Sequence, residues 1–359
     1  MTSSDTGNTT WNKYEPTAAR KQGKPGRESR PKTLTFDIHS HVAIPAAGKI
    51  AGSYVKPETV PLGWFSDDAT KAVNAKQDAD IPSRITGENV RLEDLDKMGL
   101  DKQLIMPPPG QCYYNVPNPI AIEATKVLNN GLGEFAAKRS DKYVALGSVP
   151  MQDGQAAAIE LERIMKLGLK GVQILTNVNG KELSDPAYAP FWAAAEKTGA
   201  LVVIHPNGFT HGERLSRFYF SNVIGNPLET TIALHYLIFD GVLERHPNLK
   251  LLAVHGAGYL GGYSGRIDHA WGARSDCNAN LPKPPTEYLK RVYVDTVVFT
   301  PHQLRGLVET FGADHVLLGT DYPFDMADYD PVGHVVDAGL DAKAVEAICG
   351  GNAKRLLGL

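Results

Sequence analysis

Eight short apolar runs are spaced along the chain, and longer amphipathic stretches separate most of them. No other feature restricts the fold so strongly. The runs are Thr33–Ile38, Lys102–Met106, Tyr143–Val149, Gly171–Leu175, Leu201–His205, Lys250–His255, Val292–Val297 and Val316–Gly319. Each is rich in Val, Ile or Leu and too short for a core helix, the form of a strand buried on both faces of a parallel sheet. Helical periodicity occupies Asn118–Lys138, Gly154–Leu167, Pro186–Thr198, Pro227–Arg245 and Pro301–Phe311. In Thr300-Pro301-His302-Gln303 a capping Thr, a Pro at the first helical position and a Gln three residues after the cap mark a start. Asp185-Pro186 does much the same. Alternating β and α units with eight strands predict an α/β fold, a (β/α)8 TIM barrel, with an open doubly wound sheet as the alternative. The stretch from about 42 to 90 is too long for an ordinary βα connection and is expected to form an insertion over the barrel mouth. Gly350-Gly351 is expected to break the last helix before Asn352 restarts it.

This assignment makes residues 33–359 a single barrel domain and leaves 1–32 as a tail. The tail holds seven Lys or Arg against three Asp or Glu, a charge of +4, and almost nothing that can pack. Such a segment stays solvated or wraps onto a partner subunit. The whole chain carries a formal charge of -3, so no global basic field is present to hold a nucleic acid. Three widely spaced cysteines, Cys112, Cys277 and Cys349, contain no CxxC pair and suit a reduced, cytoplasmic protein. No apolar run approaches the roughly 18 residues of a membrane span, and no signal-peptide core follows Met1. A soluble cytoplasmic enzyme is expected.

The chemistry sits at strand ends. Asp37-Ile38-His39-Ser40-His41 carries an HxH pair, and period-two alternation puts both imidazoles on one side of an extended chain. One run ends in His205, another in His255, and the last leads into Asp321. Taken singly, His205 and His255 read as buried polar residues satisfied by neighbours. In a barrel all of these side chains converge at the C-terminal mouth, where three imidazoles and a carboxylate suit Zn²⁺ or a similar divalent ion. His235 reads as a core residue, and His246 as a cation at a helix end. His211, His269, His302, His315 and His334 lack ligand-like spacing. Gly256-Ala257-Gly258-Tyr259-Leu260-Gly261 matches the dinucleotide-binding GxGxxG, but the acidic residue and second strand that a Rossmann site requires are missing after it. A glycine turn closing over a site beside His255 explains it better. Phe299, Tyr113 and Tyr114 are candidates to wall an aromatic-sized pocket, and Asp295 to support the site or cap its strand.

From about Thr33 to its end the chain resembles the amidohydrolase superfamily, in the branch of 2-amino-3-carboxymuconate-6-semialdehyde decarboxylase. The resemblance rests on Asp37–His41, Gly147–Asp153, His205-Pro206, His255–Gly258 and Gly319-Thr320-Asp321-Tyr322-Pro323-Phe324, which stand in the family's order. Gly265–Trp271, Val294–Phe299 and Asn352–Leu356 add to it. The resemblance implies that His39, His41, His205 and Asp321 bind one Zn²⁺, with Mn²⁺ or another divalent ion as the alternative. It implies that His255 is the acid/base partner of water at that ion, with Asp321 beside it in catalysis. Arg266 would reach a neighbouring subunit's site and grip a substrate carboxylate, which requires a homodimer or higher homo-oligomer. Phe299 would face the substrate. The implied activity is non-oxidative decarboxylation of a small unsaturated or aromatic carboxylic acid, carboxymuconate-semialdehyde type, in aromatic catabolism. The alternative is a hydratase or hydrolase of a ring-cleavage product on the same metal site. Two departures stand out: Asn207 follows His205-Pro206 where that branch usually has an aromatic, and a second carboxylate-binding arginine has only Arg84 and Arg91 as candidates.

Overall fold

The computed structural model describes residues 30–359, so the tail assigned to 1–32 lies outside the described residues up to position 29. Eight strands form where the apolar runs stand: β1 Phe36–His41, β2 Lys102–Met106, β3 Tyr143–Ala145, β4 Gly171–Leu175, β5 Leu201–His205, β6 Lys250–Ala253, β7 Val292–Asp295 and β8 Val316–Leu317. All pair in parallel, β1-β2-β3 in one ladder and β4-β5-β6-β7-β8 in another. Two seams join the ladders. At the first, Gly147 bridges to Val172, with Gly147 N donating to Gly171 O (2.9 Å) and Gln173 N to Gly147 O (2.8 Å). At the second, Ile38 N donates to Leu318 O and His41 N to Tyr322 O, both at 2.8 Å. The hydrogen bonds run round the whole ring, and the barrel is closed.

Phe36 and Ile38 of β1, Leu104 and Met106 of β2, Leu201 and Val203 of β5, and Leu252 and Val254 at β6 pack together inside the ring. Ala353, Leu356 and Leu357 of the last helix, Asn352–Leu357, plug its lower end. β1 meets this interior with a bulge. Asp37 stands opposite Gln103 and Ser40 opposite Ile105, so Ile38 and His39 together face the single residue Leu104. The extra residue reverses the inside-outside phase of the strand. Phe36 and Ile38 fill the core below it, and His39 and His41 turn inward above it.

Several strands end earlier than their apolar runs, because side chains capture the ladder groups. Asn129 takes both Ser148 N (2.8 Å) and Ser148 O (2.9 Å), which stops β3 before Val149. The Asp295 carboxylate accepts Val297 N at 3.2 Å and turns the chain out of β7. Beyond β6, His255 adopts a left-handed φ of 54°. Beyond β8, Leu318 N donates to Ile348 O (3.0 Å) and Gly319 N to the Thr296 hydroxyl (3.1 Å). β1 begins three residues later than expected and includes the HxH pair. The helix expected over 227–245 divides into Gly225–Phe239 and Val242–Arg245 around Gly241, whose φ is +71°. Thr300 precedes its helix as expected, yet its side chain caps no backbone N–H; its hydroxyl donates to Gln303 Oε1 at 2.8 Å. The long connection after β1 is helical, with Pro45–Ala51, Pro61–Trp64, Asp68–Asp80, Pro82–Ile85 and Glu88–Met98. Among the described residues no helix is long and apolar enough to cross a membrane.

Candidate metal centre

The bulge in β1, the end of β5 and the turn after β8 bring His39, His41, His205 and Asp321 to one buried point. Their ligand atoms all lie within 4.8 Å of one another. His41 Nε2 is 3.1 Å from Asp321 Oδ1, His39 Nε2 is 3.3 Å and His205 Nε2 is 3.9 Å. Each of the three rings has its Nδ1 engaged by an acceptor: His39 by Asp295 Oδ2 (2.7 Å), His41 by Pro107 O (2.9 Å) and His205 by Pro206 O (2.7 Å). Nδ1 therefore carries the proton on each ring, and the Nε2 lone pairs point at one another and at the carboxylate. His39 Nε2 and His41 Nε2 stand only 3.2 Å apart, and buried His205 Nε2 has no hydrogen-bond partner. Lone pairs gathered in this way repel unless a cation lies between them. Three imidazole nitrogens and one carboxylate oxygen are a divalent-metal donor set.

At His205, His41 and Asp321 the electrostatics agree with that reading. Burial pushes His205 down to about 3 and lowers His41 as well. Burial also works to raise the Asp321 carboxyl, but His39 and the other imidazoles outweigh it and hold Asp321 well below the usual carboxylate range. On His39 the loss of water is outweighed by Asp321 and Asp295, so its pKa rises.

Asp295 does more than end a strand. Its Oδ2 holds His39, and its Oδ1 accepts Gly256 N at 3.0 Å, fixing the turn that carries His255. Only glycine fits there: Gly256 has φ +60°, and a Cβ would stand 2.5 Å from Val298 Cγ1. Helices Leu260–Tyr263 and Gly265–Ala273 follow the single turn His255–Ala257, but Asp276, about 20 positions on, lies in the helix Ser275–Asn278 and not at a strand end, so the GxGxxG is not a nucleotide cradle. Asp295→Asn is expected to weaken divalent-metal affinity about 10–100-fold, because an amide no longer enforces the His39 tautomer. Chelator competition measures this, and an unchanged dissociation constant would free His39 from its dependence on Asp295.

His255 Nε2 lies 3.4 Å from Asp321 Oδ2, the oxygen not shared with His39 and His41, and buried His255 Nδ1 has no partner. His255, Phe299 and Asp321 all have positive φ, 54°, 65° and 62°. Strain of this kind collects where a site over-determines the backbone. The same three residues line a cavity of about 310 Å³ together with Asn226, Gln303 and Met326. Tyr113 and Tyr114 are buried and line a different cavity, of about 320 Å³, with Asn207 and with Trp64 and Phe65 from the insertion.

Arg266 is exposed, makes no ion pair among the described residues and does not line the cavity of its own chain. Its neighbour Asp268 is engaged by Thr286 instead. The two other arginines are elsewhere. Arg84 pairs with Asp94 at 3.0 Å. Arg91 is fully buried, bonds Gln103 Oε1 (2.7 Å), Arg84 O (3.1 Å) and the His41 carbonyl, and lies over the Tyr322 ring. It props the metal-facing strand from behind. His235 is half-buried rather than core, bonded to Thr231 O at 2.6 Å. Asn226 and Gln303 gave no signal in the sequence, since amides near helix starts are ordinary.

A closed parallel barrel with an inward HxH on its first strand, a histidine ending its fifth and an aspartate after its eighth defines a metal-centred barrel enzyme. The family model described as Amidohydrolase matches residues 114–359, and the chain belongs to the amidohydrolase family. Its relatives place it among the carboxy-lyases there. The 2-amino-3-carboxymuconate-6-semialdehyde decarboxylase of Dictyostelium discoideum is 33% identical over 338 residues, covering 91% of this chain and 92% of that protein. The gamma-resorcylate decarboxylase of Rhizobium sp. (strain MTP-10005) is 30% identical over 234 residues, 58% of this chain and 68% of that one. Among solved structures, the 5-carboxyvanillate decarboxylase of Novosphingobium aromaticivorans superposes with a TM-score of 0.81 at 21% identity, covering 94% of this chain and 98% of that one. That structure is complexed with manganese and 4-hydroxy-3-methoxy-5-nitrobenzoic acid.

Proposed function

We propose that the protein is a metal-dependent, non-oxidative decarboxylase of a small unsaturated or aromatic carboxylic acid. The observation that carries this reading is the shared cavity, in which His255 and Asp321 stand directly beside the three imidazole nitrogens. His39, His41, His205 and Asp321 would hold Zn²⁺, with Mn²⁺ as the competing occupant. A divalent ion bound there supplies Lewis-acid polarisation of substrate oxygens.

The chain's own groups account for the rest. Loss of CO2 breaks a carbon–carbon bond, leaves the electron pair on the substrate carbon and requires one proton there. His255 is placed to deliver it, because it lines the cavity with its Nε2 3.4 Å from Asp321 Oδ2. Phe299, Val297 and Met326 line the same cavity and exclude water from one side of the substrate. A carboxylate held against such a wall is poorly solvated, whereas CO2 is not penalised there. Carbon dioxide release from metal-loaded enzyme, over ortho-hydroxy and ortho-amino aromatic acids and carboxymuconate semialdehydes, tests the reading. Conversion without CO2 would favour a hydratase or hydrolase.

Arg266 completes the proposal as a residue donated to a second copy, where it would grip the carboxylate that leaves. It is exposed, and no Lys or Arg among the described residues lines the cavity. Most such assemblies are two-fold dimers. Mixing Arg266→Ala chains with chains carrying Asp321→Ala is expected to restore activity in the hybrid dimers. A monomeric active enzyme by light scattering, or no recovery on mixing, would sink the idea. The unpaired cysteines suit a cytoplasmic setting for this chemistry.

A further inference from the structure

A carboxylate outside the donor set is buried two residues from it. Asp37 is fully enclosed, and both its oxygens are occupied. Its Oδ1 accepts His39 N and Thr320 N, each at 3.0 Å. Its Oδ2 accepts the Thr320 hydroxyl at 2.7 Å and Gln103 Nε2 at 2.8 Å. The first of these bonds is an Asx turn, closed over Ile38 and His39 where β1 bulges. The far end of Gln103 accepts Arg91 Nη1 at 2.7 Å, so a neutral amide lies between a buried guanidinium and a buried carboxyl group. Arg91 comes from Glu88–Met98, the helix that ends the long connection after β1, and it also holds the His41 carbonyl. One polar chain thus runs from that connection to the main chain at His39, at His41 and at the residue preceding Asp321.

We propose that Asp37 is a positioning residue that sets how far apart His39 and Asp321 stand, and so tunes the affinity of the site for a divalent ion. Gln103 and Arg91 extend the role, because they make that separation depend on the seating of the helices after β1. The inference rests on the metal-centre reading and deepens it. Four donors converge on two oxygens, a demand that only a carboxylate meets, since an amide accepts at one end and donates at the other. Asp37 thereby ties β1 to the turn after β8 across the second seam of the barrel. Asp321 N donates to His39 O at 2.8 Å, so a shift of either backbone moves both ligands. Stability alone gives little reason for the arrangement, because buried ionic groups are often no better than apolar packing of the same volume.

The test compares Asp37→Asn, Gln103→Met and Thr320→Val with Asn129→Ala, a control that removes a buried polar group holding β3 instead. Chelator competition gives the Mn²⁺ and Zn²⁺ dissociation constants, and circular dichroism follows thermal unfolding of the metal-free protein. Asp37→Asn is expected to weaken both affinities about 10–100-fold, the range for loss of an outer partner of a metal ligand. Gln103→Met and Thr320→Val keep the carboxylate and are expected near the lower end of that range. In all three the electron paramagnetic resonance spectrum of bound Mn²⁺ is expected to change, because the ligand geometry changes. Asn129→Ala is expected to lower the unfolding temperature and leave both dissociation constants as they were. No measurable divalent-ion affinity in the unaltered chain would end the metal reading and this inference with it. Unchanged dissociation constants and Mn²⁺ spectrum in Asp37→Asn overturn the positioning role alone, and so does an equal loss of affinity in Asn129→Ala. Should Asp37→Asn fail to fold, Gln103→Met and Thr320→Val decide by the same criterion.

Discussion

Asp321→Ala will leave the purified protein with little bound divalent metal and reduce CO2 release to the metal-free level. No other single change should do as much. Asp321 is the only anion among the four donors, so its removal leaves three neutral imidazoles to hold a dication. It also faces His255 through its second oxygen, at 3.4 Å. The alanine therefore strikes metal binding and proton placement together. His39→Ala, His41→Ala and His205→Ala are expected to lower metal content as well, each through the loss of one Nε2 donor. Metal analysis by mass spectrometry beside circular dichroism separates a lost ligand from a lost fold. Full occupancy in any one variant would remove that residue from the donor set.

His255→Ala is expected to give the opposite pattern. Metal content and fold should stay near normal while turnover falls by roughly 10²–10⁴-fold, the usual worth of one general acid or base. The geometry explains the split. The four donors already meet without His255, whose Nε2 stands 3.4 Å from the outward oxygen of Asp321. The turn survives because Gly256 remains pinned to Asp295. Loss of metal along with activity would make His255 a ligand. Turnover near the original level would make it structural, and the reaction would then need another proton carrier.

What could be read from the sequence was whatever depends on one short segment. The apolar runs located all eight strands, and the residue types at their ends located His39, His41, His205, His255 and Asp321. Each of those signals is local: a run of Val and Leu finishing in a ligand-capable side chain. The features that escaped are set by distant partners. The stop of β3 depends on Asn129 reaching Ser148, and the end of β7 on an Asp295 carboxylate that also serves His39 and Gly256. Thr300 looked like a helix cap because the local pattern is right, but Gln303 claims its hydroxyl. Asn226 could not be singled out, since the group that orients it, Gly208 N, belongs to the loop after β5. Arg91 and Arg84 were equal candidates for a carboxylate-binding arginine, and no local signal told that Arg91 lies buried against Tyr322.

The extra residue in β1 gives its two halves separate obligations. Up to Ile38 the strand answers to the plug of apolar side chains beneath, and from His39 it answers to the ion above. An HxH text alone does not secure chelation. Removing Ile38 would keep the motif legible while turning either the plug or the imidazoles toward the outer helices. Length changes in this family of shapes should therefore accumulate downstream of Val42, where the helical insertion absorbs them, and be absent from the few residues before it. The spacing from Phe36 to His41 is as much a part of the metal centre as the histidines themselves.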